Sequence, residues 1–110
     1  TAQDEYGAEA MYLLGKIFYL TKDHKQCYET LIRLDDDFSA YEEWVGKAFL
    51  LLADNFVAMG DIFQAKATLQ SLIDGFPMQF VKDEARSKLR IIEASQARQP
   101  ETQPDSIESN

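Results

Sequence analysis

The sequence predicts an all-α chain of stacked helical hairpins, and three observations lead there. It repeats itself: Leu13-Leu14, Phe18, Asp23, Gln26, Leu31, Leu34, Asp36 and Phe38 each meet an identical residue 38 positions later, without a gap. Apolar residues in both copies recur at intervals of three and four, the spacing of one helix face. Each copy also carries the same break, D-x-x-Q, between two apolar stretches. A period of this length marks supersecondary units that bury their faces by stacking, and such arrays usually present a surface rather than catalyse.

Each element follows in order. In the first helix Met11, Leu14, Ile17 and Phe18 fall at helical spacing, with Tyr12, Leu13, Tyr19 and Leu20 on other faces. A band wider than one stripe predicts a helix contacted on several sides. Asp23-His24-Lys25-Gln26 then ends one helix and opens the next. The Asp is an N-cap acceptor for an orphan amide, and the Gln three residues on is placed to reach back. Cys27, Leu31 and Leu34 stripe the second helix, and Asp35-Asp36-Asp37 reads as its stop. In the third helix Phe49, Leu52 and Phe56 form the stripe, beside Leu50, Leu51 and Val57. Gly60 suits the left-handed residue that ends it. Asp61-Ile62-Phe63-Gln64 opens a fourth helix striped by Ala65, Leu69 and Leu72, and Pro77 disfavours helix at Phe76. A fifth helix is predicted over Gln79 to Arg98, with Val81, Ala85, Leu89 and Ile92 inward and Lys82, Asp83, Arg86, Lys88, Arg90 and Glu93 outward. Charge on its outer side fits a terminal cap. Residues 99–110 hold two prolines, several acids and a single aliphatic, Ile107, and read as a disordered tail or linker. The predicted units are thus 4–41, 42–79, a capping helix at 80–98, and the tail.

Composition narrows the function classes. The 110 residues suffice for one modest domain, and a formal net charge of −8 opposes both nucleic acid and acidic membrane surfaces. The longest apolar run, Ala48 to Ala53, is far short of the ~20 residues that span a bilayer. No signal peptide is recognisable, and the first residue, Thr1, is consistent with a fragment or a processed chain. The single cysteine cannot form an internal disulfide, and compartment is left open between the cytoplasm and the periplasm or cell envelope.

At Leu52-Ala53, Phe56, Gly60-Asp61, Ala65, Leu69, Leu72 and Pro77 the spacing becomes specific. This stretch resembles the tetratricopeptide repeat family. The first copy follows with Leu14-Gly15, Phe18, Cys27, Leu31 and Leu34, but has Ser39 where the family usually has proline. The resemblance implies a right-handed superhelix of two hairpins plus the capping helix, and a non-catalytic interaction module that binds a partner protein or peptide. It also implies that first helices line a concave groove. Carried over by alignment, the groove positions are Glu9, Tyr12, Lys16 and Tyr19, then Lys47, Leu50, Asp54 and Val57. The repeats are also similar to those of bacterial cell-envelope members of the family. An alternative is an interior fragment of a longer solenoid that self-associates through its repeat ends, so a homo-oligomer is possible.

Other residues carry plainer readings. Some family members clamp a peptide carboxylate with Lys, Asn and Arg. The corresponding surface here offers Lys16, Leu51 and Asp54, which does not supply that clamp. His24, the only histidine, reads as a solvated turn residue, and Cys27 as a small buried residue. Trp44 aligns with Tyr6, and the pair reads as inter-repeat packing. No cofactor is expected: the chain has no glycine-rich phosphate loop, no paired His and carboxylate, and no metal-ligand spacing.

Overall fold

The computed structural model describes residues 4–99. They form five helices: α1 (Glu5–Leu20), α2 (His24–Asp37), α3 (Glu42–Ala58), α4 (Ile62–Gly75) and α5 (Gln79–Arg98). No strand occurs among the described residues, and no helix among them is long and apolar enough to cross a membrane. Residues 100–110, most of the expected tail, lie outside the described residues.

The two hairpin turns are chemically the same. The Gln26 and Gln64 amides donate to the Asp23 and Asp61 carboxylates at 3.3 and 3.2 Å. The reciprocal half of the capping box is not needed, because the backbone amides of Asp23 and Asp61 already donate to the Phe18 and Phe56 carbonyls, each at 2.8 Å. These bonds close the preceding helix, so one aspartate ends a helix and caps the next. Closure of this type requires a left-handed residue just before the aspartate. Gly60 takes it at φ +80°, and in the first hairpin Lys22 takes it at φ +66°. A side chain pays roughly 1–2 kcal/mol of strain there, partly offset by the lower unfolded-state entropy of a non-glycine residue. Lys22→Gly is therefore expected to stabilise the domain by about 0.5–1 kcal/mol, read as a thermal midpoint roughly 4 °C higher. A lower midpoint would contradict this account of the turn.

Each helix packs on those next to it and, at most, on the one beyond. α1 pairs with α2, α3 with α4, and α2 lies against α3 and α4 against α5. The leading helices also touch in file, α1 on α3 and α3 on α5, whereas α2 and α4 make no contact with each other. An array whose leading helices touch while its trailing helices part must curve with the leading helices inside.

Two apolar clusters fill it. One joins the first hairpin to α3 through Leu31, Leu34, Phe38, Ala48, Leu51 and Leu52. The other joins α3 and α4 to α5 through Leu50, Ala53, Leu69, Leu72, Val81 and Ala85. Phe49 and Phe76 pack against both. Close approach depends on two glycines. A Cβ at Gly15 would lie 2.6 Å from Leu31 Cδ2, and one at Gly46 2.6 Å from Val81 Cγ2. Cys27 is buried as expected, and burial pushes its thiol pKa up to about 11, which leaves it protonated and inert.

Several expectations need correction. α1 does meet both α2 and α3, but they cover only part of its apolar band: Met11 and Phe18 pack inward, whereas Leu13, Leu14, Ile17 and Leu20 are 42–65% exposed. The Asp35-Asp36-Asp37 run ends α2 as expected, but as its helical last turn and not as a solvated turn after it: Asp37 is the final helical residue, and the amide of the Phe38 cap bonds to the Leu34 carbonyl. Burial, and then the charge of Asp36, raises the Asp35 pKa. Tyr6 is 80% exposed and has no packing role matching that of Trp44. His24 is not a free turn residue. It opens α2 half-buried, with its ring Nδ1 2.7 Å from Asn55 Oδ1 and its carbonyl accepting from Asn55 Nδ2 at 3.0 Å.

Candidate functional site

The inner face is built from α1, α3 and α5, and two adjoining hollows run along it. The first, about 350 Å³, is lined by Tyr12, Leu13, Lys16, Trp44, Lys47, Leu50, Leu51, Asp54, Phe80, Glu84 and Lys88. The second, about 260 Å³, is lined by Tyr19, Asp54, Val57, Ala58, Lys88, Ile91 and Ile92. Asp54 and Lys88 belong to both and form the ridge between them. The Lys88 ammonium lies 3.0 Å from each Asp54 carboxylate oxygen, tying α5 to α3. Both side chains are about a quarter to a third exposed, so this pair is worth more than a surface ion pair and less than a dry one.

Aromatic packing shapes the first hollow. The Trp44 and Tyr12 rings meet at 5.7 Å between centroids with planes at 49°, and the Lys47 ammonium lies 4.5 Å from the centroid of the Trp44 ring. Lys47 is also 3.0 Å from Glu43, one turn earlier. Trp44 thus packs between α1 and α3, while its Nε1 is buried without a hydrogen-bond acceptor among the described residues. Burial raises the Tyr12 phenol pKa, with the Lys47 charge pulling it the other way. Tyr12 is therefore a neutral, half-buried ring that offers one face and a hydroxyl.

The structure gathers most of the sequence-derived positions. Tyr12, Lys16, Lys47, Leu50 and Asp54 line the first hollow, and Tyr19, Asp54 and Val57 line the second. Glu9 lies in neither. Leu50 is a correction of another kind: it is 5% exposed and belongs to the cluster under α5, so it is floor and not contact surface. Sequence reasoning missed Phe80, Glu84, Lys88 and Ile91, because the charge on α5 was assigned to the outer side. The signal was present: the residues preceding α3 and α5, Tyr41 and Met78, are 37 apart, and that offset carries Lys47 and Asp54 onto Glu84 and Ile91.

The two hollows differ in chemistry. The first mixes aromatic rings with lysines and acids, and Lys16 is exposed with no ion pair among the described residues. The second is mostly apolar: Tyr19, Val57, Ala58, Ile91 and Ile92 surround the shared ridge. Such a surface can anchor apolar side chains at one end and exchange charge-assisted bonds at the other. No group of three or more His, Cys, Asp or Glu among the described residues is placed to hold a metal ion.

Comparison with known families gives one match. The tetratricopeptide repeat model fits twice, at residues 9–39 and 47–77, which together cover more than half of the chain. No curated protein and no solved structure matches significantly.

Proposed function

The chain belongs to the tetratricopeptide repeat family, typically a protein-interaction scaffold, and from that premise we propose that it is a non-catalytic module holding a peptide segment of a partner protein along its inner face. The observation that supports this reading is the continuity of the two hollows across three touching leading helices. A segment lying there would cross α1, α3 and α5 in turn. It would set apolar side chains among Tyr19, Val57 and Ile91, and a carboxylate near Lys16. Tyrosines suit the role because they bury area with little entropy loss and keep a polar tip. The groove is short, so modest affinity is expected from it alone.

A random-peptide library displayed on phage and panned against the chain tests the proposal. Selected peptides should shift the NMR resonances of Tyr12, Lys16, Tyr19 and Lys88. Tyr12→Ala combined with Tyr19→Ala should weaken their binding roughly tenfold or more. Both tyrosines are half-buried, so Lys16→Glu, at an exposed position, is the control that leaves packing intact and should also weaken peptides bearing a carboxylate. Peptides whose binding ignores all three substitutions would place recognition elsewhere.

A further inference from the structure

The 38-residue register makes the chain its own template for its two ends. Ala10, Leu13, Leu14 and Ile17 of α1 correspond to Ala48, Leu51, Leu52 and Asn55 of α3. On α3 these four are 0–5% exposed, covered by the first hairpin. On α1 no hairpin among the described residues covers them, and Leu13 and Ile17 are 49% and 55% exposed. At the other end the pattern reverses. The α3 positions that receive the next unit, Gly46, Phe49, Leu50 and Ala53, correspond on α5, 37 residues on, to Asp83, Arg86, Ser87 and Arg90, all exposed. One end of the array is apolar and the other is charged.

From this we infer that the outer face of α1 binds a second copy of the chain, α1 against α1, in a closed two-fold dimer. Two apolar ends would polymerise head to tail, but a single apolar end pairs with itself and stops. The face has the pattern of a helix–helix seam. Tyr6, Ala10, Leu13, Ile17 and Leu20 are spaced four, three, four and three, an uninterrupted apolar repeat along all of α1. Charge sets the direction. Glu9 and Lys16 flank the seam on one side at equivalent heptad positions. In an antiparallel pair equivalent flanks face each other, so Glu9 of one copy meets Lys16 of the other, twice. The same two-fold, centred near Leu13, brings Tyr6 against Leu20. Parallel pairing would set Glu9 opposite the apolar Leu14 and waste both charges. Most of the stripe lies outside both hollows, but Leu13 and Lys16 also line the first, so the dimer contact shares an edge with the peptide site proposed above.

Sedimentation equilibrium of the full chain tests the inference. The expected result is a species of twice the chain mass that grows in with concentration, with nothing heavier. Ile17→Glu with Leu20→Glu should return the mass to that of one chain without altering the helical circular dichroism, since both side chains are more than half exposed and support no core. A second experiment reads the direction. A mixture of the Tyr6→Cys and Leu20→Cys variants should form a disulfide between the two under mild oxidation, and neither should do so alone. Buried Cys27 does not compete. A monomer at every concentration would overturn the inference and leave the face to a hairpin from outside these residues. A mass that keeps rising would mean end-to-end assembly. Crosslinking of Tyr6→Cys to itself would mean parallel pairing. A dimer that survives the glutamates would use another surface.

Discussion

Gly15→Ala is expected to destabilise the wild-type domain by about 1 kcal/mol and to stabilise a Leu31→Ala variant by about the same amount. The two effects have opposite sign because one atom decides both. Alanine is better than glycine inside a helix by roughly 1 kcal/mol. In the native chain that gain is overridden, since the new Cβ would lie 2.6 Å from Leu31 Cδ2 and 3.0 Å from Cγ. Leu31 is 2% exposed and walled in by the first cluster, so it cannot step aside, and overpacking of this kind costs about 1–3 kcal/mol. Leu31→Ala alone should cost about 3–4 kcal/mol, the transfer loss plus a cavity between α1 and α2. With leucine gone the clash is gone, and the added methyl fills part of the void. The double-mutant coupling, roughly 2 kcal/mol by urea unfolding, is the measurement. Additive effects would mean that α1 and α2 do not meet at this point.

Asn55→Ala should cost about 2–3 kcal/mol, a large loss for removing one polar side chain. Asn55 is fully buried and reaches back from α3 to the first turn of α2, where its amide donates to the His24 carbonyl and its oxygen lies against the His24 ring. Because the amide nitrogen is committed to that carbonyl, the oxygen must accept, and His24 Nδ1 therefore carries the proton. Truncation would leave the ring nitrogen without its partner and the His24 carbonyl with only its helical bond, inside the contact between hairpins, in addition to a cavity. His24→Ala removes only one of the two bonds and should cost about 1 kcal/mol. Thermal midpoints of the two variants, compared with the wild type, test the ordering. Equal midpoints would mean that the carbonyl bond contributes nothing.

These two sites also show what was legible in the sequence. The duplicated D-x-x-Q turns, the left-handed Gly60 and the span of α5 were readable because capping and turn chemistry act within a few residues. Seven of the eight positions carried over line the hollows, Leu50 only as buried floor, because the register alone moves a residue from one leading helix to the next. What escaped depends on which neighbour is present. Leu13-Leu14 and Leu51-Leu52 are the same dipeptide, yet only the second lies under a preceding hairpin. Lys88 looks like any solvated charge on an amphipathic helix until α3 puts Asp54 beside it. The bond between Asn55 and His24 joins residues 31 apart and has no counterpart at Ile17 and Ile62, so periodicity could not reveal it.

The short-range packing of the helices has a consequence for the nascent chain. Each helix finds all its native partners no further than two helices away. No contact must wait for a distant stretch of polypeptide, and loop closure stays short throughout. As synthesis proceeds from the amino end, the first hairpin can close once α2 has left the ribosome. Each later helix, through α5, then docks on a surface already formed.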